Sequence, residues 1–173
     1  PRLSWQPVSA TRGNAQTAYQ VLVSKDPAVA SGDVWDSGET KNAQFVNVAY
    51  AGKALESGKT YYWKVRSWDK AGTASPWSAV ARFGTGLLNK SDWKGKWISG
   101  GNALRKEFKV TGKVTSAKIF IAAAGYYELH VNGVRIGDHV LDPSNTTYAE
   151  RVLYNAYDVT HFVRQGPNAL GVL

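Results

Sequence analysis

Thr60-Tyr61-Tyr62-Trp63-Lys64-Val65-Arg66-Ser67-Trp68 is the stretch that decides the fold. Its residues alternate, so that an extended chain would turn Tyr61, Trp63 and Val65 to one side and Tyr62, Lys64 and Arg66 to the other. The large apolar set predicts a half-buried strand with Trp63 as core anchor and Trp68 exposed. Turn chemistry follows at once in Asp69-Lys70-Ala71-Gly72 and Ser75-Pro76, and Val80 to Phe83 reads as the next strand. Upstream, Thr17 to Val23 is a β-rich run closed by Ser24-Lys25-Asp26-Pro27, and Phe45 to Val48 is a shorter one. Nowhere does a helical i, i+3, i+4, i+7 apolar pattern persist for ten residues. Strands punctuated by Gly and Pro at this spacing predict an all-β sandwich, with Trp5, Trp35, Trp63 and Trp77 in its core or at its strand edges.

Beyond Gly86 the texture changes, because all seven tryptophans lie at or before Trp97. The shift predicts a first domain over 1–86, a connector over 87–98 and a second domain over 99–173. Trp93 and Trp97 are expected to pack the two domains together. In the second domain Leu104 to Val110, Thr115 to Ala123, Tyr126 to Val131, Arg151 to Tyr154 and Asn168 to Leu173 read as strands. Val131-Asn132-Gly133-Val134 is a strong hairpin signal, since both central residues of that turn must accept positive φ.

Composition narrows the function classes. The 173 residues include no cysteine, which excludes disulfides, thiolate catalysis and cysteine-ligated metals. The longest apolar run, Ile119 to Ala124, is six residues, against the roughly 20 a membrane helix needs. With no methionine and no leader ahead of Pro1, and an apolar end at Leu173, a fragment of a longer protein is expected. The formal net charge of +8 is densest between Lys90 and Lys118. A nucleic-acid binder would carry that charge on a recognition helix or interleave it with stacking aromatics, and Trp93, Trp97 and Phe108 do lie within it; the preferred reading is a solvated loop and strand surface, and no nucleic-acid partner is expected.

Leu55-Glu56-Ser57-Gly58-Lys59 ahead of the central strand, and Ser75-Pro76-Trp77-Ser78 with Ala81-Arg82-Phe83 after it, resemble the second half of a fibronectin type III-like domain. Then come Trp93-Lys94-Gly95-Lys96-Trp97-Ile98, Leu104-Arg105-Lys106-Glu107-Phe108, Gly125-Tyr126-Tyr127-Glu128-Leu129-His130-Val131-Asn132-Gly133, Leu141-Asp142-Pro143 and Tyr154-Asn155-Ala156-Tyr157-Asp158-Val159-Thr160. In this order the pieces resemble, over essentially the whole chain, the N-terminal region of bacterial α-L-rhamnosidases of glycoside hydrolase family 78. The resemblance implies a fibronectin type III-like sandwich followed by a jelly-roll, carbohydrate-binding-like domain. It also implies a downstream (α/α)6 barrel of the same polypeptide that hydrolyses terminal rhamnosyl bonds with inversion. The barrel's catalytic acids have no counterpart in this sequence, so the chain is expected to be inactive alone, with a secreted or periplasmic parent. A jelly roll takes about eight strands and 97–173 offers fewer, so its return strands are expected beyond Leu173. An exposed edge open to dimerisation follows. The alternative is a stand-alone extracellular adhesion or protein-interaction module.

Asp138 and Asp142 invite comparison with the paired carboxyls of an inverting glycosidase, but aspartate also favours turns because it caps local amides. No catalytic residue is assigned. Asp138, Asp142, Asn145 and Glu150 fall within thirteen residues, an oxygen-rich set suited to calcium or to sugar hydroxyls; the sequence leaves the metal open. Related sequences usually read Asp-Pro-Gly-Trp-Thr where this one has Asp142-Pro143-Ser144-Asn145-Thr146, so the aromatic face for a sugar is missing from the loop itself. The candidates for contact with a rhamnose-containing glycan are Asp138, Asp142, Asn145, Tyr148 and Arg151. His130, His139 and His161 lack zinc spacing, the Gly-rich pieces at 84–86 and 99–101 are linkers, and no serine sits in a nucleophile elbow.

Overall fold

The computed structural model describes residues 1–173, which divide into two compact units, Pro1–Trp93 and Lys94–Leu173. The fold is all-β; its one helical element is a single 3-10 turn, Lys90–Asp92, and no helix is long and apolar enough to cross a membrane.

In the first unit β1 (Arg2–Leu3), β2 (Ala18–Ser24), β3 (Trp35–Asp36), β4 (Val48–Ala49), β5 (Thr60–Trp68) and β6 (Ala81–Gly84) form two antiparallel sheets, ordered β3-β2-β5-β6 and β1-β4. The register sets Val21 opposite Val65 and Val23 opposite Trp63. Period-2 alternation therefore stacks Tyr19, Val21 and Val23 beside Tyr61 and Val65, and Leu3, Val34 and Val48 close the core. The anchor is Tyr61 rather than Trp63: Tyr61 is 0% exposed, stacks on Phe83 with ring centroids 5.6 Å apart, and accepts a hydrogen bond from the Glu56 amide at 2.9 Å. Trp63 packs against this core only partly buried, as suits a side chain too large to disappear beneath one sheet.

On the opposite face of β5 the Arg66 guanidinium lies between the rings of Trp68 and Trp77, 4.9 and 4.8 Å from their centroids. Its Nε and Nη2 donate to Gln20 Oε1 at 3.0 and 2.8 Å, and Gln20 in turn donates to Asp36 at 2.7 Å. Trp77 is thus covered by Arg66 and Lys64 rather than by the core, and Trp68 is half-buried rather than exposed. Delocalised cations stack on indole faces, which lets a strand hide tryptophan on its wet side.

The second unit holds β7 (Leu104–Val110), β8 (Lys118–Ala122), β9 (Leu129–Val131), β10 (Val134–Ile136), β11 (Tyr154–Asp158) and β12 (Gly166–Val172) in two antiparallel sheets, ordered β10-β9-β12-β7 and β11-β8. Leu129, Val131, Ile136 and Val159 are its buried core. The Asn132-Gly133 turn forms as expected, with φ of 52° and 83° and Val131 paired to Val134. Asn132 also clamps β12: its amide donates to Asn168 Oδ1 at 2.9 Å and its Oδ1 accepts from the Ala169 amide at 2.9 Å. Two expected strands are displaced. Tyr126 to Glu128 are not strand, and the strand expected over Arg151 to Tyr154 instead runs Tyr154–Asp158. There the inward positions opposite Ile121 and Ile119 are Asn155 and Tyr157, polar groups that conceal the alternation.

Candidate functional site

The segment after β10 carries most of the sequence-derived candidates, and its entry is tightly specified. Gly137 has φ +83°, and a Cβ there would lie 2.9 Å from the Tyr157 ring, so only glycine fits. Val140 and Leu141 then stand 76% and 70% exposed, Leu141 in the left-handed region with φ 55°. A non-glycine residue held there is strained unless its surroundings over-determine it. Asp142 supplies that determination: its carbonyl accepts from the Tyr127 amide at 3.3 Å, and buried Pro143 follows.

The Asp142 carboxylate gathers residues from three parts of the chain. Its Oδ2 accepts from Asn155 Nδ2 at 2.6 Å and from the Tyr157 hydroxyl at 3.2 Å, and meets His139 Nδ1 at 3.2 Å. Tyr127 completes the group, with its hydroxyl 3.2 Å from that of Tyr157 and accepting from Asn155 at 2.8 Å. The Tyr157 hydroxyl is pushed well above the ordinary tyrosine range, first by burial, then by the Tyr127 hydroxyl and the Asp142 charge. Since Asn155 and Tyr157 point inward from β11, this network satisfies polar groups that would otherwise be stranded beside the core.

A second cluster lies on the surface. Asn145 donates through Nδ2 to the Tyr126 hydroxyl at 3.1 Å and accepts at Oδ1 from the Tyr148 hydroxyl at 2.8 Å. Tyr126 and Tyr148 remain 52% and 39% exposed. One amide thus holds two exposed rings in place. The aromatic surface that the loop lacks at position 145 is supplied by its neighbour Tyr148 and by Tyr126 from a separate segment.

The other candidates do not join these clusters. The Asp138 side chain is 99% exposed and meets only His139, at 3.8 Å. Arg151 is exposed and takes part through its backbone, where its carbonyl accepts from the Thr146 hydroxyl and its amide donates to Thr147. No group of three or more His, Asp or Glu side chains converges where a metal ion could be held. The calcium expectation therefore finds no carboxylate cage, because Asp138 and Glu150 face solvent while Asp142 serves the inward network. Tyr126, Tyr127, His139, Asn155 and Tyr157 were not among the sequence candidates. The i, i+2 spacing of Asn155 and Tyr157 was the available signal, since it puts both on one face of a strand.

Two tandem antiparallel β units, the second bearing a tyrosine-amide surface beside an internal carboxylate network, define the class: a multi-sheet protein of immunoglobulin-type and sandwich modules. Residues 1–89 match the family described as Rha78A-like, N-terminal immunoglobulin domain, and residues 112–173 match the alpha-L-rhamnosidase N-terminal domain. The chain belongs to the family of α-L-rhamnosidase N-terminal regions. An α-L-rhamnosidase of Formosa agariphila is 35% identical, matching 99% of this chain and 21% of its own length, and one from Alteromonas sp. (strain LOR) is 34% identical over 100% and 21%. The structure of α-L-rhamnosidase from Dictyoglumus thermophilum superposes with a TM-score of 0.91 at 41% identity, covering 98% of this chain and 22% of that one. That from Aspergillus terreus gives 0.83 at 33%, covering 99% and 21%. The chain spans about a fifth of the length of the curated relatives it matches.

Proposed function

We propose that this chain is the front of a glycoside hydrolase that releases terminal α-L-rhamnosyl residues. A catalytic region downstream in the same polypeptide performs the hydrolysis, and the two β units support it. The observation that carries this reading is end-to-end similarity, at 34–35% identity, to curated proteins named α-L-rhamnosidase, of which the chain matches about a fifth. The parent protein is secreted or periplasmic, where rhamnosylated glycans are met.

The second unit contacts the rhamnose-containing glycan through Tyr126, Asn145 and Tyr148. Pyranose rings present C–H faces that lie on aromatic rings while their hydroxyls take amide and carboxylate partners, the combination of apolar wall and placed polar groups that binding sites use. Asp142 acts behind that surface by fixing the loop, and all three of its hydrogen bonds use Oδ2. Release of rhamnose from an aryl rhamnoside by the full-length polypeptide, with none from residues 1–173, is the expected result. Absence of turnover in the full-length protein would overturn the hydrolase reading. Titration of residues 1–173 with L-rhamnose tests the binding role, and no heat at millimolar sugar would reduce the two units to support.

The unpaired outer edges of β7, β8 and β11 favour a second reading, a stand-alone adhesion module that binds a partner strand. A catalytic region encoded after Leu173 would remove it.

A further inference from the structure

Two segments of the first unit enclose a cleft that the core does not use. The 67–75 segment turns back on itself, with the Asp69 amide donating to the Thr73 carbonyl at 3.1 Å, the Ser75 amide to the Ser67 carbonyl at 2.8 Å, and Trp68 bridged to Ala74. The chain ahead of β2 is clasped to that turn. Thr17 donates its amide to the Trp68 carbonyl and its hydroxyl to the Asp69 carbonyl, both at 2.8 Å, and Lys70 Nζ donates to the Gly13 carbonyl at 2.7 Å. Between the two segments lies an open cleft of ≈ 430 Å³, inside the range of about 300–1,000 Å³ typical of small-molecule sites. Because these bonds tie its walls together, the cleft is formed before any ligand arrives, which lowers the ordering cost of binding.

Asp69 and Asn14 both line the cleft. Asp69 Oδ1 is committed to the turn, where it accepts from the Ala71 and Thr73 amides, each at 2.9 Å. Its Oδ2 has only the Asn14 side-chain amide, at 3.4 Å, beyond the usual N–H···O length. Asn14 Nδ2 also donates to Ser9 Oγ at 3.1 Å, and the hydroxyls of Ser9, Thr11 and Thr73, which line the cleft as well, donate to no group of the protein. Pro7, Val8 and Trp68 add apolar surface, with Val8 standing 89% exposed.

Charge selects the ligand. Asp69 has no cation within ion-pair distance, so its carboxylate repels anions. No second acid lines the cleft, whereas a hard metal ion takes six to eight oxygen ligands, usually several of them carboxylates. The adjacent ammonium of Lys70 opposes an organic cation. A neutral molecule rich in hydroxyls fits what is left, since each hydroxyl can donate to Asp69 Oδ2 or accept from a serine or threonine.

We propose that the cleft between the 7–16 and 67–75 segments binds a neutral saccharide, with Asp69 Oδ2 accepting from sugar hydroxyls, Ser9, Thr11 and Thr73 donating to sugar oxygens, and Pro7 and Val8 lying against the C–H groups of the ring. The first unit is then a binding module in its own right. The site uses residues of that unit alone and does not rest on the hydrolase reading.

Nuclear magnetic resonance of isotopically labelled residues 1–173, titrated separately with L-rhamnose, D-galactose, D-glucose, lactose and cellobiose to millimolar concentration, tests it. At least one of these sugars is expected to shift the amide signals of Ser9, Asn14, Asp69 and Thr73 in a saturable way. Asp69→Asn keeps an oxygen for the Ala71 and Thr73 amides and should weaken that binding by about tenfold. Ala15→Trp fills the cleft from an exposed lining position and should abolish it. Absence of a shift at the cleft with every one of these sugars would overturn the proposal. So would shifts confined to the surroundings of Tyr126 and Tyr148, or unchanged binding in both variants. None of these results depends on rhamnose release, so the hydrolase reading stands or falls separately.

Discussion

Asn155 donates its side-chain amide to Asp142 Oδ2 at 2.6 Å, joining β11 to a loop thirteen residues earlier. Tyr157 donates to the same oxygen at 3.2 Å. Asp142 is thus the acceptor on which two inward polar groups of one strand depend. Asp142→Ala would leave both short of a partner and is expected to destabilise the second unit by about 2 kcal/mol, read as a lowered midpoint in circular dichroism melts. An unchanged midpoint would show that solvent satisfies Asn155 and Tyr157 equally well.

The Tyr157 hydroxyl gives this network a pH dependence. Its folded pKa is raised above the unfolded value, first by burial, so its contribution to stability is complete below about pH 10 and is lost as pH rises through the folded value. An ultraviolet tyrosinate titration should therefore show Tyr157 ionising late together with unfolding of the second unit, a step separate from that of Tyr50 in the first unit, whose hydroxyl is also raised by burial. In Tyr157→Phe that late step should be missing, while the other tyrosines titrate as before.

In the proposed glycan-binding reading Asn145 and Tyr148 act on binding rather than on the fold, because their cluster is exposed and serves no inward group. Tyr148→Ala and Asn145→Ala are each expected to weaken L-rhamnose binding by about tenfold, the loss of one aromatic or amide contact, with melting midpoints shifted little. Isothermal titration beside the melts distinguishes this from a structural effect, since equal losses in both would mean that the cluster only braces the loop.

Arg66 carries the wet face of the first unit. Arg66→Lys keeps the charge but removes the paired hydrogen bonds to Gln20 and the flat stack between Trp68 and Trp77. A destabilisation of about 1–2 kcal/mol is expected, with a loss of near-ultraviolet tryptophan dichroism. Preservation of that signal would show that the two indoles hold their places without the guanidinium.

Acid titration reports on the first unit in the opposite sense. The Asp69 carboxyl is held below its usual range, first by the Thr73 amide and further by Asn14 and Ala71. A depressed carboxylate contributes stability above about pH 4 that is lost as pH falls through the folded value. The midpoint for the first unit should therefore drop in acid, and Asp69→Asn should flatten that slope.

What the sequence determined by itself was local: the alternation of Tyr61, Trp63 and Val65 placed β5 with its correct face inward, and Asn132-Gly133 placed a hairpin, because strand period and turn φ are properties of a few consecutive residues. Family membership was legible for the same reason, in short runs such as Tyr154-Asn155-Ala156-Tyr157. Tertiary structure decided the rest. Tyr61 rather than Trp63 became the anchor because burial depends on what Phe83 and β2 leave uncovered. The Asp142 network and the Tyr126-Asn145-Tyr148 surface could not be read in advance, since each joins segments up to 30 residues apart whose meeting is set by strand register and sheet packing, and polar residues on an inward face break the pattern by which strands are recognised.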